Sequence, residues 1–171
     1  MERLEESLVE FRRMVRGNSA WAAHWRSAHF DCSRDYLRLE RLLAIPSIVL
    51  ATCILGFAFY AVDRQGAPLW TQYALAGLTV MQGVLAAVLA YLRPSAMAEH
   101  YRSSAVNFAS VSRRWGEIEL RLMLQERPSS DELADILRSS DQAAREALPV
   151  TRRVLKSKGE APPYASFGHW T

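Results

Sequence analysis

The stretch Leu42–Val62, LLAIPSIVLATCILGFAFYAV, decides how the chain is read: it holds 21 consecutive residues without a charge. A helix rises 1.5 Å per residue, so about 20 apolar residues cross the roughly 30 Å of hydrocarbon in a bilayer. The connection Asp63-Arg64-Gln65-Gly66 leads into a second run, GAPLWTQYALAGLTVMQGVLAAVLAYL, uncharged over the 27 residues from Gly66 to Leu92 and best suited to hydrocarbon from about Leu69. Its greater length leaves room for tilt. Neither run keeps the charged, polar face that a helix of a soluble bundle presents to water. The pattern predicts an all-α membrane protein built on a transmembrane helical hairpin, with span one at 42–62, an outer turn at 63–66 and span two at 67–92.

Charge accumulates outside these runs. Of the 21 Lys and Arg residues, 20 precede Leu42 or follow Leu92, and only Arg64 lies in the connection. Basic loops are retained on the cytoplasmic side, so Arg34, Arg38 and Arg41 before span one and Arg93 after span two predict that both termini are cytoplasmic. Arg, Asp and Glu are so dense in the flanks that the mean hydropathy of the whole chain is only −0.08. Acidic residues alternate with basic ones there, so the net charge of +3 forms no run suited to a nucleic-acid polymer or a phosphoinositide. The first apolar run begins past the position of a signal peptide, roughly residues 15–30, and no cleaved leader is expected.

Working outward, Leu4, Leu8, Phe11, Met14 and Val15 share one helix face and predict an amphipathic helix over 3–16. Gly17-Asn18-Ser19 predicts a break and a fresh N-cap. Trp21, Trp25, Ala28, Cys32, Tyr36 and Leu39 then form the stripe of a second helix leading into span one, so 1–41 reads as a pair of cytoplasmic helices. Pro46, one turn inside span one, removes a backbone hydrogen bond and predicts a kink. Beyond Arg93-Pro94-Ser95, the residues Met97, Tyr101, Phe108, Val111, Trp115, Ile118 and Leu122 mark a cytoplasmic helical stalk within 93–127. About 30 residues at 1.5 Å each extend on the order of 45 Å, a length that demands partner helices. Pro128 ends the stalk, and Ser129 with Glu132 predicts a capping box for a helix to about Leu148. Pro149 closes or bends that helix, a short helix over Val150–Lys158 completes segment 129–158, and the tail 159–171 has turn composition and is expected to be mobile.

No residue set supports catalysis: there is no phosphate-cradling Gly loop, no GxSxG or HExxH, and no ionisable pair within either span. His24, His29, His100 and His169 share no ligand spacing. The two cysteines, Cys32 and Cys53, support neither a disulfide framework nor a metal cluster and read as packing residues. No enzyme activity, cofactor or metal is expected. The polar residues of span two are more informative, because Gln72, Thr79, Gln82 and Ala86 lie at offsets of 0, 7, 10 and 14 on one helix face, continued by Ala90. That face should avoid lipid, either by bonding across to span one or by lining a water-filled path in an oligomer. Thr52 with Gly56 and Gly83 with Ala87 add small pairs at i and i+4 that let helices approach closely. Two spans enclose no pore alone, so the polar stripe and the apolar stalk together point to a homo-oligomer in the lipid bilayer. For Trp21, Trp25 and Trp115, their place on amphipathic stripes favours helix packing over anchoring at the bilayer interface.

The first span, AIPSIVLATCILGF, follows an amphipathic helix. The second leaves through Met97-Ala98-Glu99-His100-Tyr101-Arg102 and continues as SSAVNFASVSRRWGEIELRL, and ALPVTRRVL comes later. Over most of the chain this order resembles the SLATT family, two-span effector domains associated with SMODS nucleotidyltransferases and SLOG nucleotide sensors in prokaryotic conflict systems. His100 and Phe108 match the histidine near the start of that family's alanine-rich post-membrane helix and the aromatic about two turns later. ALPVTRRVL is similar to its proline-bearing closing helix, although Val150-Thr151-Arg152 lacks the usual second proline. The resemblance implies a single-domain pore-forming effector of antiviral defence that permeabilises the bacterial inner membrane and causes abortive infection. It implies a trigger from outside the chain, a nucleotide second messenger or a separate sensor protein acting on the cytoplasmic helices. The residues alone also admit a non-conducting membrane anchor that recruits a soluble partner.

Overall fold

A computed structural model describes residues 2–63 and 68–164. Its regular structure consists of α1 (Glu2–Asp63), α2 (Leu69–Leu92), α3 (Pro94–Met123), α4 (Ser130–Glu146) and α5 (Arg152–Lys158), with no strand among the described residues. Arg64 and Gly66 of the connection, and His169 of the tail, lie outside them. The chain forms two compact units, one built from the chain up to Ser33 and from Glu99 onward, the other from Arg34–Ala98.

The expected break at Gly17-Asn18-Ser19 does not occur, because α1 runs without interruption from Glu2 to Asp63. The reason lies in its register: Phe11, Val15, Asn18, Ala22, Trp25, His29 and Cys32 alternate in steps of four and three, the spacing that keeps one seam against a neighbouring helix. Val15, Asn18, Ala22 and Cys32 are fully buried along it. A helical glycine costs about 1 kcal/mol relative to alanine, whereas each large apolar side chain buried on that seam stabilises by roughly 1.5–3 kcal/mol. Continuity therefore wins. The same helix passes through Pro46, whose missing N–H leaves the Leu42 carbonyl without its usual partner.

In the first unit the seam of α1 lies antiparallel to α3. Arg12 donates to the Leu122 carbonyl at 3.1 Å and Arg16 pairs with Glu119 at 3.0 Å. Farther along, Trp21 meets Phe108 edge-on at 5.5 Å and His29 meets Tyr101 at 5.8 Å. Helix α4 returns along α3, tied by Arg121 to Glu132 at 2.9 Å, by Arg114 to Asp135, and by Trp115 Nε1 to Ser140 Oγ at 3.2 Å. Phe108, Val111, Trp115, Ile118 and Leu122 form the core with Val15, Ala22, Ile136 and Ala143. The stalk thus finds its partner helices within its own chain. Trp115 is wholly buried and Trp21 packs on the core, as expected of packing residues.

The turns follow local chemistry. Helix α3 stops at Met123, short of Pro128, in a Schellman closure: Glu126 N–H bonds the Arg121 carbonyl at 2.9 Å and Gln125 N–H that of Leu122 at 3.3 Å. Gln125 takes the left-handed conformation with φ 63. Ser129 caps α4 by accepting from Glu132 N–H at 3.2 Å. Glu132 spends its carboxylate on Arg121, and α4 ends at Glu146. Helix α5 is fastened to α1 by Lys158 with Asp31 at 2.8 Å and by Thr151 with Cys32 Sγ at 3.7 Å. Tyr101 donates to the Pro149 carbonyl at 2.8 Å.

In the second unit the later part of α1 and α2 form an antiparallel hairpin. Its facing residues are again three and four apart: Leu43, Ser47, Leu50, Ile54 and Phe57 on α1, and Thr71, Leu75, Leu78, Gln82, Leu85 and Leu89 on α2, all half-buried except buried Thr71. Both helices are long and apolar enough to cross a membrane, and no residue in the most apolar stretch of either is fully buried by protein. A core helix of a soluble bundle would be covered. Ile48, Phe59, Tyr73, Val80 and Val84 instead point outward and exposed. Helix α2 closes on Arg93, left-handed at φ 41 with its N–H on the Leu89 carbonyl, and Pro94 opens α3 as its first residue, where a missing N–H costs nothing.

Candidate functional site

The polar residues of α2 divide between two environments. Gln82 turns into the hairpin, where its Nε2 donates to Ser47 Oγ at 2.9 Å. Its Oε1 is buried and has no partner among the described residues, and the same holds for the hydroxyl of Thr71. Gln72, Thr79 and Ala86 lie beside that seam and are exposed. Thr79 satisfies its hydroxyl locally by donating to the Leu75 carbonyl at 2.8 Å, as Thr52 does to Ile48 at 2.9 Å. Near the far end of the hairpin, Phe57 and Trp70 meet edge to face at 6.4 Å. Cys53, read from the sequence as a packing residue, is exposed there because it lies off the α1 seam.

Inside apolar surroundings a peptide-like amide without a partner costs roughly 2–7 kcal/mol. Gln82 recovers part of that through Ser47 and leaves one acceptor open, fourteen residues into a helix of 24. A sequence can show that an amide sits in an apolar run. Which of its two polar atoms is met depends on the register of the hairpin.

His100 and Phe108 take different roles. Phe108 is 2% exposed and stacks on the His29 ring at 5.4 Å and 16°. His100 is exposed, and its backbone carbonyl accepts a hydrogen bond from Ser104 Oγ at 3.1 Å. The reason is again register, since Tyr101, Ser104, Ala105 and Phe108 hold the inward positions of α3.

The residue whose importance spacing alone did not reveal is His29. It is 1% exposed, enclosed by Trp25, Tyr101 and Phe108, and its Nδ1 has no partner among the described residues. Burial among these rings penalises the charged imidazolium and lowers its pKa from 6.5 to about 4, so the ring is neutral at physiological pH. Its signal in the sequence was its place between Trp25 and Cys32 in the 4-3 register. On the surface of the same unit, Asp135 is held below the usual carboxylate range by its hydrogen bond and charge contact with Arg114. Tyr164 is pushed up to about 12 by burial and by neighbouring Asp141.

Among the described residues no group of three or more His, Cys, Asp or Glu side chains is placed to hold a metal ion. Comparison with protein-family models, curated proteins and solved structures finds no match to this chain. The class that the fold itself defines is a helical bundle joined to a hairpin of two helices, each long and apolar enough to span a membrane.

Proposed function

We propose that the chain is a membrane-embedded, homo-oligomeric pore-forming effector of a prokaryotic nucleotide-signalled antiviral system, with both termini cytoplasmic and the inner membrane as its target. The single observation that carries this reading is Gln82. An amide midway along a helix of membrane-spanning length, with its Oε1 buried and unpartnered, calls for water or a donor from another helix, since hydrocarbon supplies neither. Gln72, Thr79 and Ala86, exposed beside it on α2, would extend a polar path between copies. The resemblance to SLATT effectors, through His100, Phe108 and the order of the segments, supplies the defence context. In this reading the bundle of α1, α3, α4 and α5 receives the signal and biases a closed assembly toward an open one.

The test is to purify the full chain in detergent, determine its oligomeric mass, and reconstitute the same sample into dye-loaded liposomes. Leakage from a defined oligomer, reduced at least tenfold by Gln82→Leu while Val80→Leu on the exposed face leaves it unchanged, is the expected result. Unchanged conductance and toxicity in Gln82→Leu would remove α2 as the lining.

The bond from Gln82 to Ser47 favours a second reading, in which the hairpin is sealed within one chain and acts as a non-conducting anchor that recruits a soluble partner through its cytoplasmic helices. A monomeric mass, with liposomes that stay tight in the presence of candidate nucleotides and a co-purified sensor, would select it.

A further inference from the structure

Within the first unit, the end of α4, the connection Ala147–Val150 and α5 stand off α1 and α3 and leave a half-open cavity of about 410 Å³. Small-molecule sites generally span about 300–1,000 Å³. Trp21, Trp25 and His29 line it from α1, Phe108 from α3, and Pro149 and Leu155 from the far side. None of the described residues lining it carries a formal charge at neutral pH, since the one titratable group among them is the neutral His29. Trp21 also carries Tyr164 at 4.7 Å, and Tyr164 is anchored by donating to Asp141 at 3.2 Å.

We infer that this cavity is a binding site for a neutral, planar aromatic small molecule carrying one hydrogen-bonding group, with Trp21, Trp25 and Phe108 as the apolar walls and His29 Nδ1 as the polar contact. Three observations converge on it. Three of the lining side chains, Trp21, Trp25 and Phe108, are aromatic, and flat rings pack offset or edge-on against such side chains. His29 lines the cavity with only 1% of its surface exposed, and its buried Nδ1 finds no partner among the described residues, so a ligand group that reaches it replaces an unpaired buried atom with a hydrogen bond. Among the described residues no Lys or Arg lines it, so a phosphate or carboxylate placed here would lose its hydration without gaining a counter-charge. A phosphorylated messenger would need to be met elsewhere on the chain.

The position also suggests a use. The walls come from α1, which continues into the first apolar segment, and from α3, which begins at the end of α2. A ligand in the cavity touches both, and Pro149 at its edge is held by Tyr101 of α3. A triggering role for the ligand rests on the effector reading above; the binding site itself does not.

The experiment uses the full chain in detergent with histidine ¹⁵N-labelled, and three probes. These are indole, which is flat and has one N–H; naphthalene, which is flat and has none; and indole-3-acetate, which adds a carboxylate. Indole should shift the His29 ring resonances saturably, naphthalene should bind about tenfold more weakly, the equivalent of about 1.4 kcal/mol, and indole-3-acetate should bind no better than naphthalene. Ala144→Trp, on an exposed position at the cavity edge, should fill the space and abolish the shift. It leaves partitioning of the probes into micelles unchanged. His29→Phe should erase the difference between indole and naphthalene. His29 resonances that do not move with indole, or that move equally in Ala144→Trp, would overturn the site. Tighter binding of indole-3-acetate would overturn its neutral character. These readouts need no leakage, so a failed pore and a failed site give different results.

Discussion

Lowering the pH should weaken the helical bundle through His29, and the size of the effect follows from its burial. The imidazole is 1% exposed among Trp25, Tyr101 and Phe108, and its pKa falls to about 4 from 6.5. Between those values the unfolded chain binds a proton that the folded chain refuses. Stability is therefore complete above pH 6.5, declines as the pH drops through this window, and levels off below about 4. The limiting loss is roughly 3 kcal/mol. Solvent entering the half-open cavity beside the ring reduces the expected loss at pH 5 to about 1–2 kcal/mol. The assay compares thermal or denaturant unfolding of the full chain with His29→Phe, which keeps an aromatic ring in the stack, at pH 8 and pH 5. Carboxylates elsewhere titrate alike in both proteins, so the change in their stability difference isolates His29. The wild type should lose 1–2 kcal/mol relative to the variant. Parallel pH profiles, or a His29 pKa near 6.5 by NMR, would refute the reasoning.

Trp115→Phe should destabilise the bundle by about 1–3 kcal/mol, combining lost volume with the bond to Ser140; a double-mutant cycle with Ser140→Ala read by unfolding should return a coupling near 1 kcal/mol. Gln125→Gly should stabilise by about 0.5–1 kcal/mol, because Gln125 holds the left-handed position at φ 63 that glycine occupies without a steric cost, and a lower melting temperature would contradict the closure described for α3. Ser129→Ala should remove the cap on Glu132 N–H and cost about 1 kcal/mol, visible as faster amide hydrogen exchange in the first turn of α4 but not in α1.

The stalk shows what periodicity can carry. Phe108, Val111, Trp115, Ile118 and Leu122 were legible as one face because a helix brings every third or fourth residue to the same side, and all five are buried. What covers that face was not legible: the answer is the first part of α1 and α4, which makes the stripe no argument for assembly. Gly17-Asn18-Ser19 misled for the complementary reason, since its residues break helices only when nothing larger is gained by continuing. The polar residues of α2 lie on one helix, as their spacing implies, yet they do not share one environment. Gln82 turns to Ser47, while Gln72, Thr79 and Ala86 remain outside.

The sequence by itself determined that the chain is helical, where its two membrane-length segments lie, and which turn residue starts α4, because length, hydropathy and capping are properties of neighbours along the chain. Only the tertiary structure decided that α1 is continuous, that the stalk is covered within its own chain, that Gln82 is half satisfied, and that His29 borders an aromatic cavity. Each of these depends on side chains far apart in sequence. A register difference of one residue, about 100° around a helix, decides whether such a side chain meets a partner or solvent.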